Sequence, residues 1–464
     1  MSLHPLSFPY AMHEIDCVVD FRPGRIDIRS LSGIHDASRV ETNGQIRLHS
    51  DGSWDGMLNW LPTSRLVVDQ VLIGCLPQVL REPMTRWGFR GPVSITGSTY
   101  VASPEEGHAS LLRDWNLRAD LEDASIGIDH VKGLRGTIQI SGENSNHSTT
   151  AYGSLALDAL SVRGVAVTGV EGPFALSHNV LYLGRDANDW NTKNPLGRRI
   201  ASSSTPANPM NSQAPVVSAS FQSNVRNSLV ERRDQGAVSW FGPKAVQPIE
   251  FPNMDISDND MRARTLSGTL FLSGIEPLNG DRAHLRVRLV DADVHGMLVD
   301  LGETITTANG RLFIECDVDG SMDNLNAVSG AGKAWLRGAN LYELPAMIRL
   351  LNLLAVRPDQ GAFDSADVEF GIDGDRIPIK SLQLDGDLIS MQGRGSVNFR
   401  RELDLELVAN VGRRGIVGAL VRPFTQNPNA NWMRIEVGGT TSNPQIRPPM
   451  PLRDSLDQVL LEAP

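Results

Sequence analysis

The chain has 464 residues, of which 41% are hydrophobic, 21% are charged and only 6% are aromatic. These values are near those of globular proteins, so most of the chain is expected to fold, as two to four ordinary domains or as one elongated array. The net charge is −11 and lysine occurs at only five positions. Nucleic acid and anionic membrane surfaces are therefore poor partners on electrostatic grounds.

The cysteines and the N-terminal segment carry little information about the cellular compartment. Cys17, Cys75 and Cys316 are far apart in sequence, which predicts free thiols and neither a disulfide framework nor a metal site. The first ten residues lack the charged and apolar regions of a signal peptide. No apolar run approaches the roughly 18–20 residues that span a bilayer, so the expected protein is soluble or is anchored by a segment outside this sequence.

Alternation of apolar and polar residues runs through most of the chain and predicts half-buried strands. The clearest examples are Arg25–Arg29, Gln45–His49, Leu117–Leu121, Thr137–Ser141, Ser154–Asp158, Leu285–Leu289 and Arg434–Val437. Asn-Gly and Asp-Gly pairs favour the positive φ angles of tight hairpins. They occur at Asn43-Gly44, Asp51-Gly52, Asn279-Gly280, Asn309-Gly310, Asp319-Gly320, Asp373-Gly374 and Asp385-Gly386. The pattern predicts a mainly β fold, an antiparallel meander.

Helices are expected to be few. Helical spacing of apolar residues is found at Val67–Arg86, which Pro77 interrupts, and at Leu344–Val356, with a last short turn at Asp454–Leu461. Such apolar helices typically cover a sheet edge or fill an open core.

Residues 185–260 differ in kind from the rest of the chain. They are polar and rich in proline, and their periodicity vanishes, which predicts a long, flexible insertion with one strand near Val216–Phe221. This insertion divides an N-terminal β segment, residues 1–184, from a C-terminal β segment, residues 261–450. Residues 451–464 form a short tail.

No motif in the sequence predicts catalysis. The run Ser329–Lys333 resembles the end of a phosphate-binding loop, but Ala327 and Ala334 stand where that motif needs Gly and Ser or Thr. Acidic residues at 255–260 and 317–323 lack the twelve-residue calcium loop with its terminal Glu. Carboxylates paired only in space, as in glycosidases, stay open. We expect no enzyme, and no catalytic residue, cofactor-binding residue or metal ligand is predicted.

The apolar side chains of the alternating segments form the candidate functional surface. One interpretation is a closed sandwich or a helix-covered core, in which they pack on each other. The other is an open groove that receives an apolar ligand. The candidate lining residues are Leu285, Val287, Leu289, Val368, Phe370, Ile372, Leu382, Leu384, Val397, Phe399, Leu403, Leu405 and Leu407.

The order of elements from Leu341 to Pro444 resembles the C-terminal domain of the AsmA-like family, the bacterial group that includes AsmA, TamB and YhdP. A short apolar helix precedes glycine-bearing strand motifs in that family. The corresponding motifs are Glu369-Phe-Gly-Ile-Asp-Gly374, Leu382-Gln-Leu-Asp-Gly386, Met391-Gln-Gly-Arg-Gly-Ser-Val-Asn-Phe399, Leu403-Asp-Leu-Glu-Leu407 and Val437-Gly-Gly-Thr-Thr-Ser-Asn-Pro444.

This resemblance implies an elongated, curved antiparallel sheet, a β-groove, with a few short capping helices. It implies a non-enzymatic module of the periplasm and cell envelope that moves phospholipid between membranes, tethered to the inner membrane by a segment absent from this chain. The implied partners are phospholipid acyl chains and membrane-anchored envelope proteins. The alternatives are a β-rich envelope scaffold with a closed core, whose insertion recruits a partner, and a carbohydrate-active surface protein with clustered carboxylates and aromatics.

Overall fold

The computed structural model shows a mainly β protein built on one elongated, curved antiparallel sheet. It describes residues 12–35, 38–62, 66–75, 81, 84–85, 88–103, 112–127, 131–144, 149–162, 164–194, 252–278, 282–300, 309–321, 324–339, 351, 363–386, 389–411, 432–440, 443–447 and 450–451.

The strands of the first half follow the predicted meander. They are β1 His13–Arg22, β2 Arg25–His35, β3 Ser38–Leu48, β4 Trp54–Trp60, β5 Leu66–Val68, β6 Gly91–Ala102, β7 Leu112–Ile126, β8 Val131–Asn144, β9 Thr149–Val162, β10 Val165–Ser177 and β11 Val180–Leu183. The second half comprises β12 Met261–Thr265, β13 Gly268–Pro277, β14 Ala283–Asp293, β15 Arg311–Ser321, β16 Asn324–Arg337, β17 Ser365–Asp373, β18 Arg376–Asp385, β19 Ile389–Asn398, β20 Leu403–Val411, β21 Trp432–Gly439, β22 Pro444–Ile446 and β23 Met450–Pro451.

Three helices have defined bounds in the described residues: α1 Gln70–Cys75, α2 Arg185–Lys193 and α3 Val294–Asp300. The predicted helix at Val67–Arg86 begins later than expected, at Gln70, because Val67 and Val68 belong to strand β5; Arg81, Met84 and Thr85 are also helical. Of the predicted helix Leu344–Val356, only Leu351 lies among the described residues, and it is helical. The predicted turn at Asp454–Leu461 and the strand at Val216–Phe221 lie outside them.

Strands adjacent in sequence pair antiparallel along nearly the whole sheet. At two places in the sheet, two short strands together occupy the position of one strand. β4 and β5 both pair with β6, and β11 and β12 both lie between β10 and β13. The two β segments predicted on either side of residues 185–260 are therefore parts of one sheet.

The turn signals are only partly confirmed. Asp51-Gly52 and Asp373-Gly374 form the expected turns, whereas Asn43-Gly44 and Asp319-Gly320 lie inside β3 and β15. A Cβ on Gly44 would stand 2.2 Å from the carbonyl oxygen of Met57 on the neighbouring strand. This glycine therefore permits a close backbone approach within the sheet and does not make a turn.

The predicted flexible insertion begins with regular structure. Residues 185–193 form α2, which contacts β10, β11 and β13. Residues 252–260 return to the sheet without forming a helix or strand. Residues 195–251 lie outside the described residues.

Candidate functional site

The two faces of the sheet differ in chemistry, because side chains alternate along each strand and directly opposed residues share a face. One row of opposed pairs runs Leu289, Ile314, Ala334, Val368 and Leu382 across five successive strands. We call this side the apolar face. Their neighbours along the strands, such as Arg288 and Glu369, point to the other side, the polar face.

Twelve of the predicted lining residues lie on the apolar face. The registers place these residues on one side of β14 and of β17 to β20: Leu285, Val287, Leu289, Val368, Phe370, Ile372, Leu382, Leu384, Val397, Leu403, Leu405 and Leu407. Phe399 follows the end of β19 in a turn, where its side chain is 67% exposed. It therefore stands at the rim of the sheet and not on the strand surface.

Glycines opposite aromatic residues flatten the apolar face. Trp115 lies opposite Gly142, and Phe370 lies opposite Gly332. A Cβ on Gly142 would meet the Trp115 ring at 2.2 Å, and a Cβ on Gly332 would meet the Phe370 ring at 2.5 Å. The rings thus lie against the glycine backbone of the next strand, so these large aromatic side chains project only a short way from the sheet.

Part of the apolar face is covered by the chain itself. Leu351 and Phe363, from the connection between β16 and β17, are fully buried in a cluster with the sheet. The buried strand residues of this covered strip are Ala366, Leu384, Ile389, Met391, Leu407, Ala409, Ile435 and Val437. Three of the predicted lining residues, Leu289, Leu384 and Leu407, are buried, and Leu382, Leu403 and Leu405 are partly buried and pack against this cluster.

A second cover lies on the N-terminal half of the sheet. Leu72 and Ile73 of α1 are buried against apolar-face residues of β5 to β9, including Val93 and Leu121. Trp115, Ala151, Leu176 and Leu278 form a third buried cluster nearby. The predicted role of apolar helices as covers is met by α1 and by the segment that holds Leu351.

Half-buried residues lie beside the covered strip, towards the rim formed by the turns at 374–375 and 399–402. This open strip comprises Phe370, Ile372, Ile379, Val397, Leu403 and Leu405, all on the apolar face of β17 to β20. The covered residues lie nearer the opposite rim, where the connections that carry α1, α3 and Leu351 join their strands. The covers therefore come from one rim, and the half-buried open strip lies towards the other.

Ion pairs within and between strands organise the polar face. Arg118 binds Asp120 at 2.9 Å, and the Asp120 carboxylate also accepts a hydrogen bond from the Thr137 hydroxyl at 2.6 Å. The Arg118 hydrogen bond lowers the pKa of Asp120. Lys333 binds Glu369 at 2.9 Å, and this contact raises the pKa of Lys333. Such pairs keep the polar face in water with its charges balanced.

A cavity of about 880 Å³ is formed at β18 to β22. Most of the charged side chains that line it bind one another: Arg434 contacts Glu406 at 2.8 Å, and Arg394 contacts the same carboxylate at 3.6 Å. Arg447 binds Glu436 in the same way. Lys380 and Asp404 also line the cavity.

Strand register opposes carboxylates on the polar face at more than one place. Asp20 lies opposite Asp27, and Glu406 lies opposite Glu436, and all four bind arginines. A third pair has no such arginine contact in the described residues. Asp114 of β7 lies directly opposite Glu143 of β8. Burial, and then the charge of Glu143, raise the pKa of Asp114. Sequence reasoning could not select this pair, since only the strand register juxtaposes it. Neither residue lines the cavity described above.

The described residues provide no other chemical centre. They contain no group of three His, Cys, Asp or Glu side chains placed to hold a metal ion. Burial raises the pKa of the Cys316 thiol to about 11, and the nearby Asp317 acts in the same direction. Within the same residues, no helix is both long and apolar enough to cross a bilayer.

Comparison with known proteins adds no identification. The chain matches no protein-family model, no curated protein and no solved structure.

Proposed function

We propose that this protein is a non-enzymatic lipid-binding module whose apolar face holds phospholipid acyl chains for movement between membranes. The observation that carries the proposal is the open strip of half-buried aliphatic and aromatic residues on a face that continues across β1 to β22. Exposed apolar surface of this kind marks a binding site in soluble proteins. An acyl chain needs only such a surface, with its head group left in water.

The energy of acyl-chain burial is sufficient for stable binding. A chain of about 16 carbons, at about 0.8 kcal/mol per buried CH₂, gains on the order of 13 kcal/mol from complete burial. A half-covered position gains less, which favours movement along the face over permanent retention. The glycine beneath Phe370 supports sliding, because the Phe370 ring lies against the backbone of the next strand and does not obstruct the open strip.

The envelope location belongs to the same proposal and rests on the resemblance to the AsmA-like family at Leu341 to Pro444. The proposed site is the periplasm, and the proposed partners are phospholipids and membrane-anchored envelope proteins. The ion-paired polar face supports the absence of nucleic acid from this set, since its basic residues already bind acidic neighbours.

The competing proposal is a β-rich scaffold with a closed core. The covered strip favours it, because Leu351 and Phe363 are fully buried over Leu384 and Leu407. The two functions make opposite demands on the open strip. A lipid-binding protein must expose it to ligand, whereas a scaffold needs it only for packing.

Leu405→Asp tests the lipid proposal directly. Leu405 is half-buried on the apolar face of β20, so a carboxylate there is expected to remain hydrated while it repels an acyl chain. The matched control is Val408→Asp on the polar face of the same strand, where Arg434 lies opposite. Phospholipid bound per protein is measured by extraction and mass spectrometry.

The expected result is that Leu405→Asp loses most of its bound phospholipid while Val408→Asp retains it, and both keep the far-ultraviolet circular dichroism spectrum of the parent. Loss of folding in Leu405→Asp alone would favour the scaffold. Equal lipid content in all three proteins would remove the open strip from the binding site.

A further inference from the structure

Strands β11 and β12 occupy a single strand position in the sheet. Leu183, at the end of β11, lies opposite Phe174 on one side and Gly274 on the other. Met261, at the start of β12, lies opposite Leu272 on the same neighbouring strand. The two short strands therefore run in line, although residues 184–260 separate them in sequence.

Gly184 fills the one register position between them. Its N–H donates to the carbonyl oxygen of Pro173 at 2.9 Å, continuing the ladder that β11 makes with β10. On the other side, only Ser273 lies between the partners of Leu183 and Met261. A Cβ on Gly184 would stand 2.8 Å from the Met261 nitrogen. Met261 thus follows Gly184 in register as the next residue of one strand would.

The alternation of side chains also continues across the interruption. Leu181 and Leu183 lie on the apolar face, Gly184 takes the next position, and Met261 and Ala263 return to the apolar face. Met261 and Ala263 are both buried there. A strand that read directly from Gly184 into Met261 would keep every side chain on its present face.

The chain leaves this strand on the polar face. Helix α2 follows Gly184, and the ring of Trp190 stacks on that of Tyr182 with centroids 6.3 Å apart. Asp186 of the same helix binds Arg286, a polar-face residue of β14. These contacts hold the outgoing segment on the polar face, on the opposite side of the sheet from the open strip.

The chain also returns on the polar face. Arg185 binds the Asp255 carboxylate at 3.0 Å and the Asp260 carboxylate at 3.2 Å. The first residue of the excursion, the segment 185–260, is therefore ion-paired with two residues near its end. The N–H of Ser257 donates to Asp260 at 2.8 Å. Both ends of the excursion are therefore fixed together at one place on the sheet.

We infer that residues 185–260 are an insertion into a single strand, that the chain leaves this strand and returns to it on the polar face, and that the sheet forms without the insertion. The inference is independent of what the apolar face binds, because it rests on strand register and on polar-face contacts alone.

The test is a deletion of residues 185–260 that joins Gly184 to Met261. The expected product is soluble, keeps the β signal of the described sheet and melts within about 3 °C of the full chain. The matched control deletes one residue more, 184–260, and joins Leu183 to Met261. That slip turns Met261 and Ala263 to the polar face, so it should lower the melting temperature by more than about 5 °C or prevent folding.

Any other combination overturns the inference: failure of the Gly184–Met261 variant, or equal behaviour of the two deletions. A second measurement does not depend on refolding a shortened chain. A specific protease site placed between Ser203 and Ser204 of the full-length protein allows it to be cut after folding. The two fragments are expected to elute together, held by the ladders among β10 to β13, and their separation under native conditions would also overturn the inference.

Discussion

Alanine substitution on strand β20 should distinguish the covered strip from the open strip by stability alone. Leu407 is 5% exposed and packs in the cluster that includes Met391 and Ile435. Removing a leucine side chain from such a site leaves a cavity and typically costs about 3 kcal/mol. Leu405, two residues away on the same face, also packs against this cluster but is only half-buried, so its removal leaves a smaller and less enclosed cavity.

The expected costs follow from that difference. Leu405→Ala loses only part of the transfer energy of its side chain, about 1 kcal/mol. The gap of about 2 kcal/mol between Leu407→Ala and Leu405→Ala corresponds to a factor of roughly 30 in the local opening equilibrium. Val408→Ala, on the polar face of the same strand, serves as the control and should cost no more than Leu405→Ala.

Hydrogen exchange of peptides from β19 to β21, in protein freed of lipid, measures these costs locally and does not require the whole sheet to unfold in one step. Equal destabilisation by Leu405→Ala and Leu407→Ala would refute the reasoning, since it would mean that both side chains are enclosed by protein. The apolar face would then be a core and not a binding surface.

Three further predictions concern titratable groups. The pKa of Asp114 is raised by burial and by the charge of Glu143, so the ionised form of Asp114 opposes folding. Asp114→Asn should therefore stabilise the protein at pH 7 by up to about 1 kcal/mol. This gain should disappear as the pH falls below the ordinary pKa of Asp. The pKa of Asp120 is lowered by its hydrogen bond with Arg118, so Asp120→Asn should destabilise the protein at pH 7 and have no effect in acid. Melting temperatures measured across pH test the Asp114 and Asp120 predictions together. A stability change of the same sign in the two variants at pH 7 would contradict them. In a Cys75→Ser background, the buried Cys316 should react with a thiol reagent at pH 8 more than about 100-fold more slowly than the exposed Cys17. Single Cys→Ser variants identify each site, and comparable rates would show that Cys316 is accessible.

The strands were predictable from the sequence because a half-buried strand alternates its side chains over a few residues, which is local information. Arg25–Arg29, Thr137–Ser141 and Leu285–Leu289 all lie within strands of the sheet. Glycine was less informative, since it serves turns and close strand approach alike. Gly52 lies in a turn, whereas Gly44 lies under a neighbouring carbonyl inside β3.

Two tight turns gave no sequence signal at all. His178 and Asn179 connect β10 to β11, and Leu266 and Ser267 connect β12 to β13, with positive φ at all four residues. His and Asn adopt positive φ more often than most residues, whereas Leu and Ser rarely do, so at Leu266 and Ser267 the adjoining strands impose these backbone angles.

The shared face of the candidate site was predictable, but its cover was not. Alternation places Leu403, Leu405 and Leu407 on one side of β20 without further knowledge. The burial of Leu407 beneath Leu351 depends on a contact between segments far apart in sequence, which no local pattern encodes. The alignment of β11 with β12 is non-local in the same way, since the intervening polar residues gave the impression of a boundary between two β segments.

The central claim is that the open strip on the apolar face is occupied by acyl chains. Native mass spectrometry of the unmodified protein, purified without detergent and followed by lipid extraction, tests it most directly. The account predicts phospholipid that stays bound through purification, and repeated preparations of folded protein that carry no phospholipid would contradict it.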